Sequence, residues 1–400
     1  MQPPSTTRAR SVTRFHYGPP VILHGRGATS ELGPEFAEHG IDSVLVVCNR
    51  SIGETAEVLE PVIDGLEGRC AGVFDTVTGQ KRLETAWSAA AHARALTADG
   101  ILGLGAGSAL DVATVASALV DCPGSLAEVR DAFLETRRIP LETQPVPLVT
   151  VPTTLAGAEL SQGAGIRAYP PGTDDRPVSG GISDPKLCPR VTVYDADLVV
   201  QTPEQILRNS AMNGFNKGVE ALYSPAATPV TDATASRGIG LLRQWLPTLA
   251  DEPATPAALD AILEGMVLVQ YGLSRPSETG LSVIHAFGHG ITANLDVQQG
   301  VAHAIITPHV LQAVFERGEC RWQLIGDALG TNSRSDIIES ITELRDHLGL
   351  PATLGSIGPI TSEVLVDIAT DTAADGLMDN LPDGVTLSVD EIHQILEAAR

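Results

Sequence analysis

The most constraining feature of this chain is a change of texture near residue 203. Before it, apolar runs of strand length alternate with amphipathic stretches of helix length. The runs cover residues 44–48 (VLVVC), 71–74 (AGVF), 100–104 (GILGL), 146–151 (VPLVTV) and 191–194 (VTVY). Helical stretches at 54–66 and 83–97 lie between them. Such alternation builds an α/β layer around a largely parallel sheet. After Thr202-Pro203 strand signals nearly vanish, and 232–249, 256–272, 279–295, 301–316, 335–348, 361–372 and 389–400 all read as helices. A length of 400 residues suits about two domains. The boundary therefore divides an α/β domain over 14–203 from an all-helical domain over 204–400. Residues 169–189, rich in Pro, Gly, Asp and Ser, read as a long loop.

Charge narrows the partners. A net charge of −23 excludes nucleic-acid binding by a general basic surface and argues against docking to an anionic membrane. The cations are lopsided: Lys81, Lys186 and Lys217 are the only lysines, and all other cationic side chains are arginine. That balance points to a halophilic, salt-screened cytoplasm. Cys48, Cys70, Cys122, Cys188 and Cys320 are scattered without a CxxC pair, which fits a reducing interior rather than a disulfide framework. No apolar run reaches the ~18 residues of a membrane span. The opening MQPPSTTRARSVTR lacks the apolar segment of a secretory signal, so 1–13 is expected to be a flexible tail.

Three constellations carry chemistry. Gly103 to Asp111 (GLGAGSALD) follows a strand and opens a helix. Its glycines allow a tight turn and close backbone approach, and the helix N-terminus suits a pyrophosphate. Ser108 is placed to cap that helix, with Asp111 as its capping-box partner. Taken alone, the turn reads also as a tight connection without a ligand. Thr153 and Thr154 end the next strand, at the sheet edge where open α/β sheets bind ligands. His285 and His289 lie four apart on one helix face, a spacing that can chelate a metal, although the first His has no Glu beside it.

Taken in order, Gly-Ala-Gly-Ser-x-x-Asp, Pro-Thr-Thr and His-x-x-x-His resemble the iron-containing (group III) alcohol dehydrogenase superfamily. The stretch 194–223 (YDADLVVQTPEQILRNSAMNGFNKGVEALY) is most similar to maleylacetate reductases. The resemblance implies a dehydroquinate synthase-like fold: an N-terminal nucleotide-binding α/β domain and a helical C-terminal domain. It also implies an NAD(P)-dependent oxidoreductase that interconverts a carbonyl and an alcohol. Cofactor contacts would come from Asn49, Arg50, Gly105, Ala106, Gly107, Ser108, Asp111, Thr153 and Thr154. Asn49 stands where many members carry an Asp, and with Arg50 beside it the site leans to NADP or to dual use with NAD.

Carried over position by position, the family's metal ligands fall on Asn213, Lys217, His285 and Gln299. Amides are poor ligands for iron or zinc, and an ammonium repels them. The expectation is a metal-independent enzyme. Lys217 supplies the charge a metal would, His285 and His289 donate hydrogen bonds or protons, and Asn213 and Gln299 orient a small oxo acid or aldehyde. Two alternatives stand: a metal-dependent iron-type alcohol dehydrogenase with a site rebuilt from His289, His303 and His309, or a non-catalytic nucleotide-binding homologue. A homodimer is expected from the prevalence of two-fold assemblies.

Overall fold

The structure, a computed structural model, describes residues 15–172, 177–251, 253–276, 278–318 and 320–400. The tail expected over 1–13 lies outside the described residues.

The first half carries strands β1 Val21–His24, β2 Val44–Asn49, β3 Cys70–Val77, β4 Gly100–Gly105, β5 Leu148–Pro152, β6 Gly163–Ala168, β7 Val178–Ser183 and β8 Val191–Tyr194. Helices α1 Leu32–Glu38, α2 Arg50–Gly53, α3 Ala56–Gly65, α4 Leu83–Ala95, α5 Gly107–Leu119, α6 Leu126–Thr136 and α7 Ala196–Val199 connect them. A 6-stranded parallel sheet runs in the order β1-β8-β5-β4-β2-β3. Its inner strands are buried on both faces, which is why they read as unbroken apolar runs. Val44, Val46, Leu102 and Leu104 pack with α1 and α3 on one face. Leu45, Val47 and Ile101 pack with α4, α5 and α6 on the other. The connection leaving β2 therefore runs to one face and that leaving β4 to the opposite one. A crevice opens between the carboxyl ends of these neighbouring strands, at Asn49 and Gly105.

The segment 169–189 is not one long loop. Its Val178–Ser183 portion is β7, paired antiparallel with β6 from Gly163↔Ser183 to Ala168↔Val178. The glycines that suggested a loop permit close packing: a Cβ on Gly180 would fall 2.1 Å from the Arg137 carbonyl oxygen. The helix read at 54–66 is α3, which starts at Ala56 after its N-cap Thr55 and follows the short α2.

The second half comprises α8 Glu204–Tyr223, α9 Pro229–Trp245, α10 Thr248–Asp251, α11 Pro256–Gln270, α12 Val283–Asn294, α13 Gln299–Arg317, α14 Trp322–Leu329, α15 Arg334–His347, α16 Ser362–Ala373 and α17 Val389–Ala398. α8 runs through the middle and is buried continuously from Ala211 to Tyr223. A helix covered on all sides shows no one-sided period, so its sequence gave no helical signal. The helix read from 279 starts later, at Val283. Glu278 and Thr279 instead pair antiparallel with Arg275 and Ser274. Among the described residues, no helix is long and apolar enough to cross a membrane.

Candidate active site

The crevice between β2 and β4 has the character of a phosphate cradle. Gly105 adopts φ 132, a conformation closed to residues with a Cβ, and turns the chain from β4 into α5. Ala106 is the N-cap of α5 and no side chain caps the helix. The expected capping box is therefore absent. Ser108 lies inside the first turn, and Asp111 pairs with Lys81 Nζ at 2.8 Å instead. The early start follows from Ala106, which is already extended at ψ 170 and leaves Gly107 to begin the helix. The first-turn N–H groups of α5 thus have no side-chain acceptor, the condition a phosphate meets. Asn49 faces the same crevice from β2. Its Oδ1 accepts from Ile52 N at 3.0 Å, and the exposed Arg50 follows it. These residues fit a dinucleotide.

One loop joins this cradle to the helical half. Thr153 N donates to the Gly105 carbonyl (3.0 Å), and Thr202 Oγ1 donates to the Thr153 carbonyl (2.8 Å). Thr154 is buried beside it. Leu155 N donates to Ser210 Oγ on α8 at 3.0 Å. A Cβ on Gly107 would lie 3.6 Å from Ala158 Cβ, so the loop faces the Gly-rich turn directly. Gly157, at φ 76, then presses on Lys217: its Cβ would fall 2.9 Å from Lys217 Cε.

Asn213, Lys217 and Glu220 project from successive turns of α8. Lys217 is only 9% exposed, and among the described residues its ammonium has no hydrogen-bond or ion-pair partner. Burial lowers its pKa, while the carboxylates of Glu159, Glu220 and Asp111 act to raise it. Glu220 is fully buried and faces the start of α12. It accepts from the backbone N–H groups of Ser282 (3.1 Å), Ile284 (2.7 Å) and His285 (3.1 Å). His285 Nδ1 lies 2.5 Å from Glu220 Oε2, and His285 Nε2 lies 3.2 Å from Asn213 Oδ1. Burial pushes the Glu220 carboxyl up to about 7 against those hydrogen bonds. Burial, then the Lys217 charge, holds His285 well below its ordinary value.

A second buried carboxyl flanks Lys217. Glu159 Oε1 accepts from Gln270 Nε2 at 2.7 Å, with Tyr194 Oη 3.4 Å from the same nitrogen. Burial raises the Glu159 pKa. His303 is fully buried, its ring 4.5 Å from that of His285 and edge-on to it. Among the described residues, neither His303 nitrogen has a hydrogen-bond partner.

The structure places Asn213, Lys217 and His285 in one interior cluster. Gln299 opens α13 nearby, its Cγ 3.5 Å from where Gly288 would carry a Cβ. His289 is half-exposed on α12, with Nδ1 2.8 Å from Asp375 Oδ2. His309 faces Arg345 instead. Sequence reading missed Glu220, Gln270 and Tyr194 as site residues. For Glu220 a signal existed: 213, 217 and 220 are spaced to share a helix face.

The family's metal does not fit these side chains. Two amides and an ammonium occupy three of the four ligand positions, and among the described residues no three His, Cys, Asp or Glu side chains gather to hold an ion.

Comparison with known proteins agrees with the architecture. The family model described as iron-containing alcohol dehydrogenase matches residues 19–196, and that of the Fe-containing alcohol dehydrogenase family, C-terminal, matches 209–400. Maleylacetate reductase 1 of Cupriavidus pinatubonensis is 25% identical over 346 residues, covering 86% of this chain and 85% of the relative. A probable alcohol dehydrogenase of Escherichia coli is 27% identical over 349 residues, covering 85% and 84%. The structure of a sulfoacetaldehyde reductase from Bifidobacterium kashiwanohense superposes with a TM-score of 0.84 at 19% identity, covering 97% of this chain and 99% of that one. Between them the two family models account for both the sheet and the helices, and the chain belongs to the iron-containing alcohol dehydrogenase family.

Proposed function

We propose that this protein is an NAD(P)H-dependent carbonyl reductase that works without a catalytic metal and acts on a small oxo acid, as maleylacetate reductases act on maleylacetate. The observation that carries this reading is Lys217: a buried cation without a partner, at a position where the family places a metal ligand. Buried ammonium groups are ordinarily hydrogen-bonded, so one with carboxylates near it but none bonded to it leaves room for a substrate oxygen that gains negative charge.

Gly105, Ala106, Gly107 and Ser108 hold the cofactor phosphates, with Asp111, Thr153 and Thr154 beside them, and Asn49 and Arg50 receive the adenosine end. The absence of a carboxylate at Asn49 favours NADPH, or use of both cofactors. When bound, the nicotinamide supplies the hydride. Lys217 Nζ hydrogen-bonds the substrate oxygen as charge builds there and gives it the proton that completes the alcohol. Its lowered pKa makes it the readier acid. Asn213 and Gln299 orient the substrate, and His285 and His289 donate hydrogen bonds. The acidic composition and five free cysteines support a salt-rich, reducing cytoplasm. We place the protein there as a homodimer.

The test is oxidation of NADPH and NADH with maleylacetate by chelator-treated protein in concentrated KCl. Turnover is expected to survive chelation. Lys217→Ala is expected to lower kcat/KM by at least about 100-fold, the scale of one lost oxyanion donor, with NADPH binding unchanged. Activity that appears only on adding Fe²⁺ or Zn²⁺ would overturn the metal-free reading. Cofactor binding with no turnover on any small carbonyl would indicate a non-catalytic protein.

A further inference from the structure

We infer that Lys81 sets the charge of the cofactor site: by pairing with Asp111 it stops that carboxylate from repelling the phosphates of a bound dinucleotide. The inference rests on the reading of the β4–α5 turn as a phosphate cradle for NAD(P)H.

Asp111 stands in an awkward place for a carboxylate. It lies one turn beyond Gly107 on α5 and shares that residue's helix face. The face looks onto the loop that follows Thr153 and Thr154, with Ala158 Cβ 3.6 Å from where Gly107 would carry a Cβ. The rise of a helix puts Asp111 about 6 Å along the axis from Gly107. At that range a bare carboxylate meets an incoming phosphate as like charge. The net charge of −23 already works against an anionic cofactor, so local cancellation matters here.

Lys81 answers that charge from outside α5. Its Nζ lies 2.8 Å from Asp111 Oδ2, with the side chains 28% and 16% exposed. Such shelter leaves the pair less screened than one on the open surface. Lys81 belongs to the connection between β3 and α4, where it holds φ 49, a conformation uncommon for a residue with a Cβ. Two hydrogen bonds fix it there: Lys81 N donates to the Thr78 carbonyl (3.1 Å), and the Lys81 carbonyl accepts from Arg167 N on β6 (2.9 Å). β6 also passes close over the pair. A Cβ on Gly165 would fall 3.3 Å from Lys81 Nζ and 3.9 Å from Asp111 Oδ2. From the same strand, Arg167 Nη2 donates to the Thr292 carbonyl of α12 at 3.0 Å. The pair therefore stands where the sheet half meets the helical half. With the two charges cancelled, the first-turn N–H groups of α5 keep their pull on a phosphate.

The test is NADPH affinity by fluorescence titration, with a melting temperature for each sample. Lys81→Met is expected to weaken NADPH binding by about 10-fold or more, since it bares a negative charge beside the phosphates. The double variant Lys81→Met, Asp111→Asn removes that charge as well and is expected to recover most of the loss. Lys81→Arg keeps the cation and is expected to bind close to wild type. Asp111→Asn alone is expected to bind more tightly, because the ammonium is then uncancelled. A purely structural pair would make affinity follow melting temperature instead of charge. The inference is overturned if Lys81→Met binds NADPH as the wild type does, or if the double variant binds as weakly as Lys81→Met. If Lys81→Met does not fold, weaker binding by Asp111→Asn overturns it. A wild-type protein that binds neither NADPH nor NADH overturns the cofactor reading and this inference with it, whereas failure of the variants alone leaves the cofactor reading standing.

Discussion

Gly157 decides how closely Lys217 is packed. Gly157 sits at φ 76 with Lys217 in the space a Cβ would need. Gly157→Ala is expected to destabilise the fold by about 1–2 kcal/mol through its backbone alone. It would also displace Lys217, so kcat/KM should fall further than stability explains. Thermal melts and steady-state kinetics on the same sample separate the two effects. His303 presents the opposite case. A buried ring whose nitrogens lack partners is a liability, so His303→Met is expected to stabilise the protein by about 1 kcal/mol in a denaturant titration. Destabilisation would mean that the ring is hydrogen-bonded in solution. Lys217 stood out in the sequence because lysine is so rare there and because it falls at a ligand position. Glu220 did not, because a glutamate is ordinarily solvated. Only the packing of α12 against α8 makes it a buried acceptor.

At the scale of elements, the turn from β4 into α5 is the most sensitive joint. Gly105→Ala would force a residue with a Cβ into φ 132, at a cost of about 1–3 kcal/mol. The added Cβ would also crowd Ala109 Cβ, 3.4 Å away in the first turn of α5. NADPH affinity by fluorescence titration is therefore expected to drop, while a control substitution at exposed Gly79 leaves it unchanged. The parallel strands were legible because burial on both faces writes unbroken apolar runs into the sequence. The Gly-rich turn was legible as well, but its cap was not. Whether Ser108 or Ala106 ends the extended stretch depends on the backbone of Ala106, and both residues suit a helix start. The β6–β7 hairpin escaped notice because its glycines serve close packing against the end of α6, and composition does not distinguish that use from a flexible loop.

The whole molecule combines a net charge of −23 with buried acids, and two of these, Glu159 and Glu220, have raised pKa values. Burial raises Glu220 from 4.5 to about 7 and also raises Glu159, so both bind their protons more tightly when folded. The stability they contribute is complete below pH 4.5 and is lost as the pH rises towards 7. Surface repulsion from the net charge of −23 grows in the same direction, but salt screens only the surface. Buried His285 and His303, held well below the ordinary imidazole value, act in the opposite direction across the same window. Concentrated KCl is expected to remove the surface part of any change in melting temperature between pH 5 and pH 7, and the slope that remains is the balance of the buried acids against the buried histidines. At fixed pH 7, KCl should raise the melting temperature by several degrees; no response would argue against a salt-adapted surface. The partnerless ammonium of Lys217 has a practical consequence at this same scale. A small carboxylate that hydrogen-bonds this ammonium stabilises the folded protein by mass action, so a melting-temperature screen of carboxylates can rank substrate candidates before any turnover has been seen.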